Sequence, residues 1–131
     1  MSSLSCIKTA KIGDVVEVSI CQDNELGMYI VKLHVDNFSS EMLFKLGEHI
    51  KSCCGEEFKV AQIDGKTELT KVALASAGEA DKTLLDMIMN SIISKLENCE
   101  VVKKVEEIRK EVEEKRRQAK KQTRTSRRKS S

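Results

Sequence analysis

The segment VVEVSICQDNELGMYIVKLHV, residues 15–35, decides the fold because it predicts a β-hairpin. Residues 15–21 and residues 28–35 each alternate apolar with polar side chains, which is typical of a strand with one buried face. The six residues between them include Asp, Asn and Gly, which favour turns. We therefore expect an antiparallel pair here, and residues 5–12 predict a further edge strand.

Beyond the hairpin the apolar period changes to that of a helix. Leu46 and Ile50 belong to an apolar series at helical spacing. Ser39 supplies an N-cap and Gly55 a stop, so residues 39–54 predict a helix. A second hairpin should follow this helix.

The second hairpin is predicted from two β-rich segments, residues 58–63 and residues 67–75. Asp64 and Gly65 lie between them, and this dipeptide is a strong signal for a tight hairpin turn.

The C-terminal part of the chain predicts one long helix, from Glu79 to Arg117. The chain contains no proline, and no glycine follows Gly78. The first part of this helix has a broad apolar face suited to packing on a sheet, and beyond Asn98 the pattern narrows to a heptad seam. The predicted dimerisation residues are those of the seam: Val101, Val105, Ile108 and Val112.

The seam needs a partner, because an isolated helix of this length is marginally stable in water. We expect a homodimer through the C-terminal helix. The alternatives are that the seam folds back on its own domain, or that it binds a different protein.

Charge is divided unevenly along the chain, although the formal net charge is only +2. Residues 115–131 contain nine Lys or Arg and no acid, whereas the first 114 residues contain 14 bases and 21 acids. An acidic body of about −7 therefore precedes a basic end of +9. From Gln118 onward no apolar pattern is present, so this end is predicted to be disordered.

The basic end predicts nonspecific contact with the phosphate backbone of nucleic acid, DNA or RNA. Base-specific recognition is not expected, because the segment lacks aromatic residues that stack on bases. The spacing also fits a bipartite nuclear import signal, and a solubilising end without a partner is a further alternative. The predicted nucleic-acid-binding residues are Lys115, Arg116, Arg117, Lys120, Lys121, Arg124, Arg127, Arg128 and Lys129.

Several classes of protein are not expected from this sequence. It shows no transmembrane segment and no secretory signal, so the five cysteines are expected to be reduced thiols in a nuclear protein, also present in the cytoplasm. His34 and His49 have no second ligand nearby in sequence, and no metal, cofactor or catalytic group is predicted.

The order of elements resembles a family of proteins with a small head and a coiled-coil stalk. The residues that carry the resemblance are FKVAQIDGKTELTKVALASAGEADKTLLDMIMNSIISKLE, 58–97, and more loosely YIVKLHVDNFSSEMLFKLGEHI, 29–50. The family includes the DNA ligase IV cofactor, XLF, PAXX and the centriolar cartwheel protein. The resemblance implies a β-sandwich head, dimerisation through the stalk and no catalysis. Its end-joining branch implies work at DNA breaks in the nucleus, with the head on repair proteins and the tail on DNA or Ku.

The predicted architecture is α+β, with a small antiparallel β head of two hairpins around one helix in residues 1–78. Residues 79–117 should form a long helix that packs on the head and continues as a coiled coil, and residues 118–131 a disordered basic tail. We expect a non-enzymatic dimeric scaffold that binds nucleic acid, in DNA double-strand-break end joining, with an unknown protein partner on the head. The alternatives are an RNA- or ribosome-associated accessory protein, and an assembly factor whose tail serves only nuclear import.

Overall fold

The computed structural model describes residues 4–74 and 82–130, and it describes side chains within the last helix as far as Ala119. The fold is α+β, as predicted, with one five-stranded antiparallel sheet and three helices. The predicted boundary between residues 78 and 79 lies outside the described residues. The elements are β1 (Leu4–Ile12), β2 (Val16–Asp23), β3 (Met28–Val35), α1 (Ser40–Cys54), β4 (Lys59–Ile63), β5 (Lys66–Leu74), α2 (Lys82–Asn98) and α3 (Val101–Ser130).

The sheet has the strand order β1-β2-β3-β5-β4, and every neighbouring pair is antiparallel. Both predicted hairpins are confirmed, as is the additional edge strand β1. Asp64 and Gly65 both have positive φ, at 53° and 77°, which is the backbone of the tight turn that their identities predict. Pairing of β3 with β5 joins the two hairpins into one sheet.

Helix α1 begins and ends where its capping residues predict. The Ser39 hydroxyl accepts a hydrogen bond from the backbone N–H of Met42 at 3.2 Å. Gly55 adopts a left-handed conformation with φ 77°, and its N–H donates to the carbonyl of Lys51. Leu43, Leu46 and Ile50 on its inner face are fully buried.

The apolar core lies on one face of the sheet, where alternate strand residues meet all three helices. The core includes Val18, Val31 and Leu33 from the strands, together with residues of α1, α2 and α3. Because side chains alternate along a strand, the intervening residues occupy the opposite face. We call this the open face, and its residues include Glu17, Ser19, Lys32, His34 and Glu68.

The predicted single C-terminal helix is wrong in one respect, because it is two helices. The chain turns at Cys99 and Glu100, and Glu100 has a positive φ of 50°. Cys99 is buried, and its carbonyl accepts a hydrogen bond from Nε2 of His49 at 2.8 Å. The turn lets the broad apolar face of α2 and the narrow seam of α3 pack against the same core, which one straight helix cannot do.

The prediction of five reduced thiols is also wrong in this structure, which contains the disulfides Cys6–Cys21 and Cys53–Cys99. Cys6 and Cys21 are partners in the register of β1 and β2. The other bridge joins the last turn of α1 to the corner between α2 and α3, with a Cα–Cα distance of 5.9 Å. Cys54 is a free thiol. Sequence spacing did not reveal these pairs, because both depend on tertiary placement.

Candidate nucleic-acid interface

The seam of α3 lies inside the chain's own core. Val101, Val105 and Ile108 are at most 1% exposed, and Val112 is partly buried against the same core. Folding back, one of the alternatives left open by the sequence, is therefore the arrangement found. A projecting coiled-coil stalk is not shown, and in this conformation these side chains are not available to a second copy. The homodimer stays a prediction.

Specific contacts hold the first half of α3 on the body. Nη2 of Arg109 donates to the backbone carbonyl of Asp36 at 2.7 Å, and the guanidinium lies 5.4 Å from the centroid of the Phe38 ring. A Cβ atom at Gly13 would lie 2.9 Å from Cγ2 of Val102, so the β1–β2 turn approaches the helix closely. These contacts fix the direction of α3 relative to the sheet.

The described basic side chains of the interface lie immediately beyond this docked part. Residues 113–119 are all exposed, in contrast to the seam before them. Lys115, Arg116 and Arg117 are among these exposed residues, so the structure places three of the nine predicted contacts on one helical turn. The other six side chains lie outside the described part of α3. A disordered tail from Gln118 is not shown, since α3 continues to Ser130.

Three consecutive cations on a helix point in different directions, because each residue turns the helix by about 100° and advances it by about 1.5 Å. Lys115, Arg116 and Arg117 therefore surround the helix instead of forming one flat stripe. Such an arrangement suits an extended polyanion that passes beside the helix, and it provides no fixed set of donors for one base pair. The chemistry available here is charge neutralisation of phosphates.

The open face also carries a polar cluster that the sequence did not predict. Its central residue is Glu68, which is 2% exposed although it lies on the face of the sheet away from the core. Nζ of Lys32 lies 3.3 Å from Glu68 Oε2, and Nδ1 of His34 lies 3.9 Å from Oε1. A charged residue at an alternating strand position predicts exposure, so the sequence carried no signal for its burial.

A second ionic cluster lies beside the core. Glu56 forms ion pairs with both Lys71 and Lys95, the latter with a separation of 2.6 Å. Burial, and next the positive charge of Lys95, lowers the pKa of Lys71 from its usual value. This cluster holds the end of α2 against the segment before β4.

Neither the geometry nor the comparisons assign a cofactor. Within residues 4–74 and 82–130, no group of three or more His, Cys, Asp or Glu is placed to hold a metal ion. No helix in the same ranges combines the length and apolarity needed to cross a bilayer. Comparisons with family models, curated proteins and solved structures found no match.

Proposed function

We propose that the chain is a non-enzymatic accessory protein that binds nucleic acid through the basic end of α3. The observation that supports this proposal is the change of environment along one helix. The seam is buried up to Ile108, whereas Lys115, Arg116 and Arg117 are exposed. The body anchors the helix up to Val112, so the three cations stand on its exposed continuation, within one turn of Glu113 and Glu114.

Duplex DNA is the first nucleic acid to test, because the sequence resembles the end-joining branch of a head-and-stalk family. In that setting the protein acts as a scaffold in the nucleus, with the body binding a repair protein and α3 reaching DNA. A homodimer belongs to this proposal and requires α3 to leave the body, since its seam is buried. Two basic ends on one particle would then bind with increased effective concentration.

The test compares two triple variants of the full chain. The first replaces Lys115, Arg116 and Arg117 with Ala, and its control replaces Lys103, Lys104 and Lys110, which lie on the docked half of the same helix. Both variants lose the same charge, so only its position differs. Affinity for duplex DNA and for structured RNA is measured over a range of salt concentrations.

We expect the first variant to bind DNA more weakly and with a flatter salt dependence. Each lost phosphate contact lowers the slope of log K against log salt by about 0.9, so three contacts lower it by about 3. The control should retain the wild-type slope. Equal slopes for both variants would overturn the proposal.

Tighter binding to RNA would favour the RNA-associated alternative. Nuclear entry that needs residues 115–131, without binding by the purified chain, would favour the import function.

A further inference from the structure

We propose that the free edge of β4 binds an extended segment of another protein, one that alternates apolar with acidic side chains. The sheet ends at β1 on one side and at β4 on the other. A strand at the edge of a sheet leaves half of its backbone N–H and C=O groups without a ladder partner. Where nothing blocks such an edge, an extended peptide can add to it as a further strand.

The edge at β1 is blocked, whereas the edge at β4 is regular. The pairing of β1 with β2 shifts register between Cys6 and Lys8, and a bulge of this kind hinders addition of a further strand. Lys8 also forms an ion pair with Asp86, which places α2 beside this strand. In β4 all five residues, from Lys59 to Ile63, pair with β5 in an unbroken register.

The turn after β4 determines which of its backbone groups point outward. Asp64 and Gly65 form a two-residue turn with positive φ at both positions. In such a hairpin the residue pair next to the turn is hydrogen-bonded, and bonded pairs alternate with unbonded ones. Val60 and Gln62 belong to the unbonded pairs, so their N–H and C=O groups point away from β5. No residue within 4–74 or 82–130 forms a hydrogen bond with these groups.

An apolar hollow lies on the core side of the same edge, between α1 and β4. Its volume is about 380 Å³, and it is lined by Phe44, Gly47, Phe58, Val60, Leu69 and four charged residues. Phe44 is 60% exposed, whereas Leu69 is fully buried and pairs with Val60. Side chains opposite each other in paired strands lie on the same face of a sheet. A residue of an added strand opposite Val60 therefore enters this hollow, where an apolar side chain would contact Phe44.

The other face of the edge favours acidic side chains. Lys59 in β4 and Lys66 beside the turn lie on this face, because side chains alternate along each strand. Both lysines are exposed, and neither forms an ion pair with a residue that the structure describes. Opposite charges on neighbouring strands stabilise their pairing. A segment with acids on this face and apolar residues between them therefore fits both sides of the edge.

The segments that this chain itself could supply do not fit. A second copy of β4 would bring Val60 and Gln62 to the hollow and a further Lys59 to the other face, so it supplies no acid. Residues 115–131 contain nine bases, no acid and only Ala119 as an apolar residue. The occupant is therefore a segment of a different protein. This surface is separate from the basic end of α3, so a chain that fails to bind nucleic acid can still bind the segment.

The experiment uses the full chain and a fluorescein-labelled peptide, TVDVDVT, whose valines alternate with aspartates. One control peptide, TVVVDDT, has the same composition without the alternation, and the other, TVKVKVT, reverses the charge. Binding is followed by fluorescence anisotropy and by exchange of backbone amide hydrogens. Gln62→Pro removes an outward N–H, and Gln62→Ala is its matched control, because both variants lose the side-chain hydrogen bond to Thr67.

We expect TVDVDVT to bind saturably and to slow the exchange of the Val60 and Gln62 amide hydrogens at least about tenfold. The amides of Ala61 and Ile63 are internal references, because their hydrogen bonds to β5 already protect them. Gln62→Pro should weaken binding at least about tenfold, whereas Gln62→Ala should keep the wild-type affinity. Both control peptides should bind severalfold more weakly than TVDVDVT.

Equal binding of either control peptide would overturn the proposal, TVVVDDT by showing nonspecific adhesion and TVKVKVT by showing that charge does not select the segment. Unchanged affinity of Gln62→Pro would overturn it as well. If that variant does not fold, Phe44→Ser replaces it, since this exposed side chain contributes little to stability, and here too a tenfold loss is expected and an unchanged affinity contradicts the proposal. Slower exchange of the Val60 and Gln62 amides at higher protein concentration, without peptide, would show that a second copy occupies the edge instead.

Discussion

Ile108→Ala distinguishes a seam that packs on its own body from one that forms a dimer. The Ile108 side chain is completely buried against the core shared with α1, and Ile→Ala at such a site costs about 2–5 kcal/mol. We expect about 3 kcal/mol, because the contact of α3 with the core ends at Val112 and the helix can relax into part of the cavity. For a chain of 131 residues this lowers the melting temperature by roughly 10 °C.

The assay is urea and thermal unfolding followed by circular dichroism, at protein concentrations that differ by roughly twentyfold. Lys110→Ala, on the exposed side of the same helix, is the matched control and should change stability by less than about 0.5 kcal/mol. If the seam packs within one chain, the midpoints of wild type and Ile108→Ala do not depend on concentration. A wild-type midpoint that rises with concentration, together with a variant that is a folded monomer, would refute the intramolecular packing.

Further predictions concern the contacts that fasten the helices. Removal of the Cys53–Cys99 bridge by a double Ala substitution should lower the free energy of unfolding by about 4 kcal/mol, for a loop with a sequence separation of 46; equal stability of oxidised wild type and variant would contradict this. Ser39→Ala removes the N-cap of α1 and should lower the free energy of unfolding, measured in urea, by about 1 kcal/mol. Ser39→Asp keeps a side-chain acceptor at this position and should retain most of that stability. Arg109→Ala should lower the free energy of unfolding by about 1–2 kcal/mol. Arg109→Gln removes only the charge and should therefore lower it by less. Because folding lowers the pKa of Lys71, the unfolded state binds more protons between that lowered pKa and 10.5, so the free energy of unfolding should rise with pH there, and Lys71→Met should remove the rise.

Local chemistry predicted most of the elements, because their limits are set within the segment itself. Alternation predicted β2 and β3, the dipeptide at Asp64 predicted the second turn, and the caps predicted α1 almost to the residue. The break between α2 and α3 has no such local signal. Glu100 takes a left-handed conformation that glycine or asparagine usually adopts, and the conformation is held by the burial of Cys99.

The candidate sites also differ in whether a local sequence signal predicts them. The basic end was visible in the sequence because its property is charge, which does not depend on the fold. The polar cluster around Glu68 depends on register, since β5 must pair with β3 to bring this carboxylate beside His34. In the sequence the two residues are separated by α1 and β4, and nothing local marks either of them as part of a site.

The buried seam places a condition on any dimer formed through α3. Val101, Val105 and Ile108 leave the core if they pair with a second copy, and each fully buried aliphatic side chain is worth about 1.5–3 kcal/mol. Undocking therefore costs roughly 5 kcal/mol or more in each chain, and both chains of a dimer must undock. The apparent dimer affinity falls by about seven powers of ten unless the new interface restores it. The Cys53–Cys99 bridge, at the base of α3, adds to this cost while it is closed. We expect a monomer when the bridge is oxidised, and a dimer, where one forms, only after reduction or in the Cys99→Ala variant, as measured by light scattering. An oxidised dimer that resists Ile108→Glu would show that the copies meet through another surface.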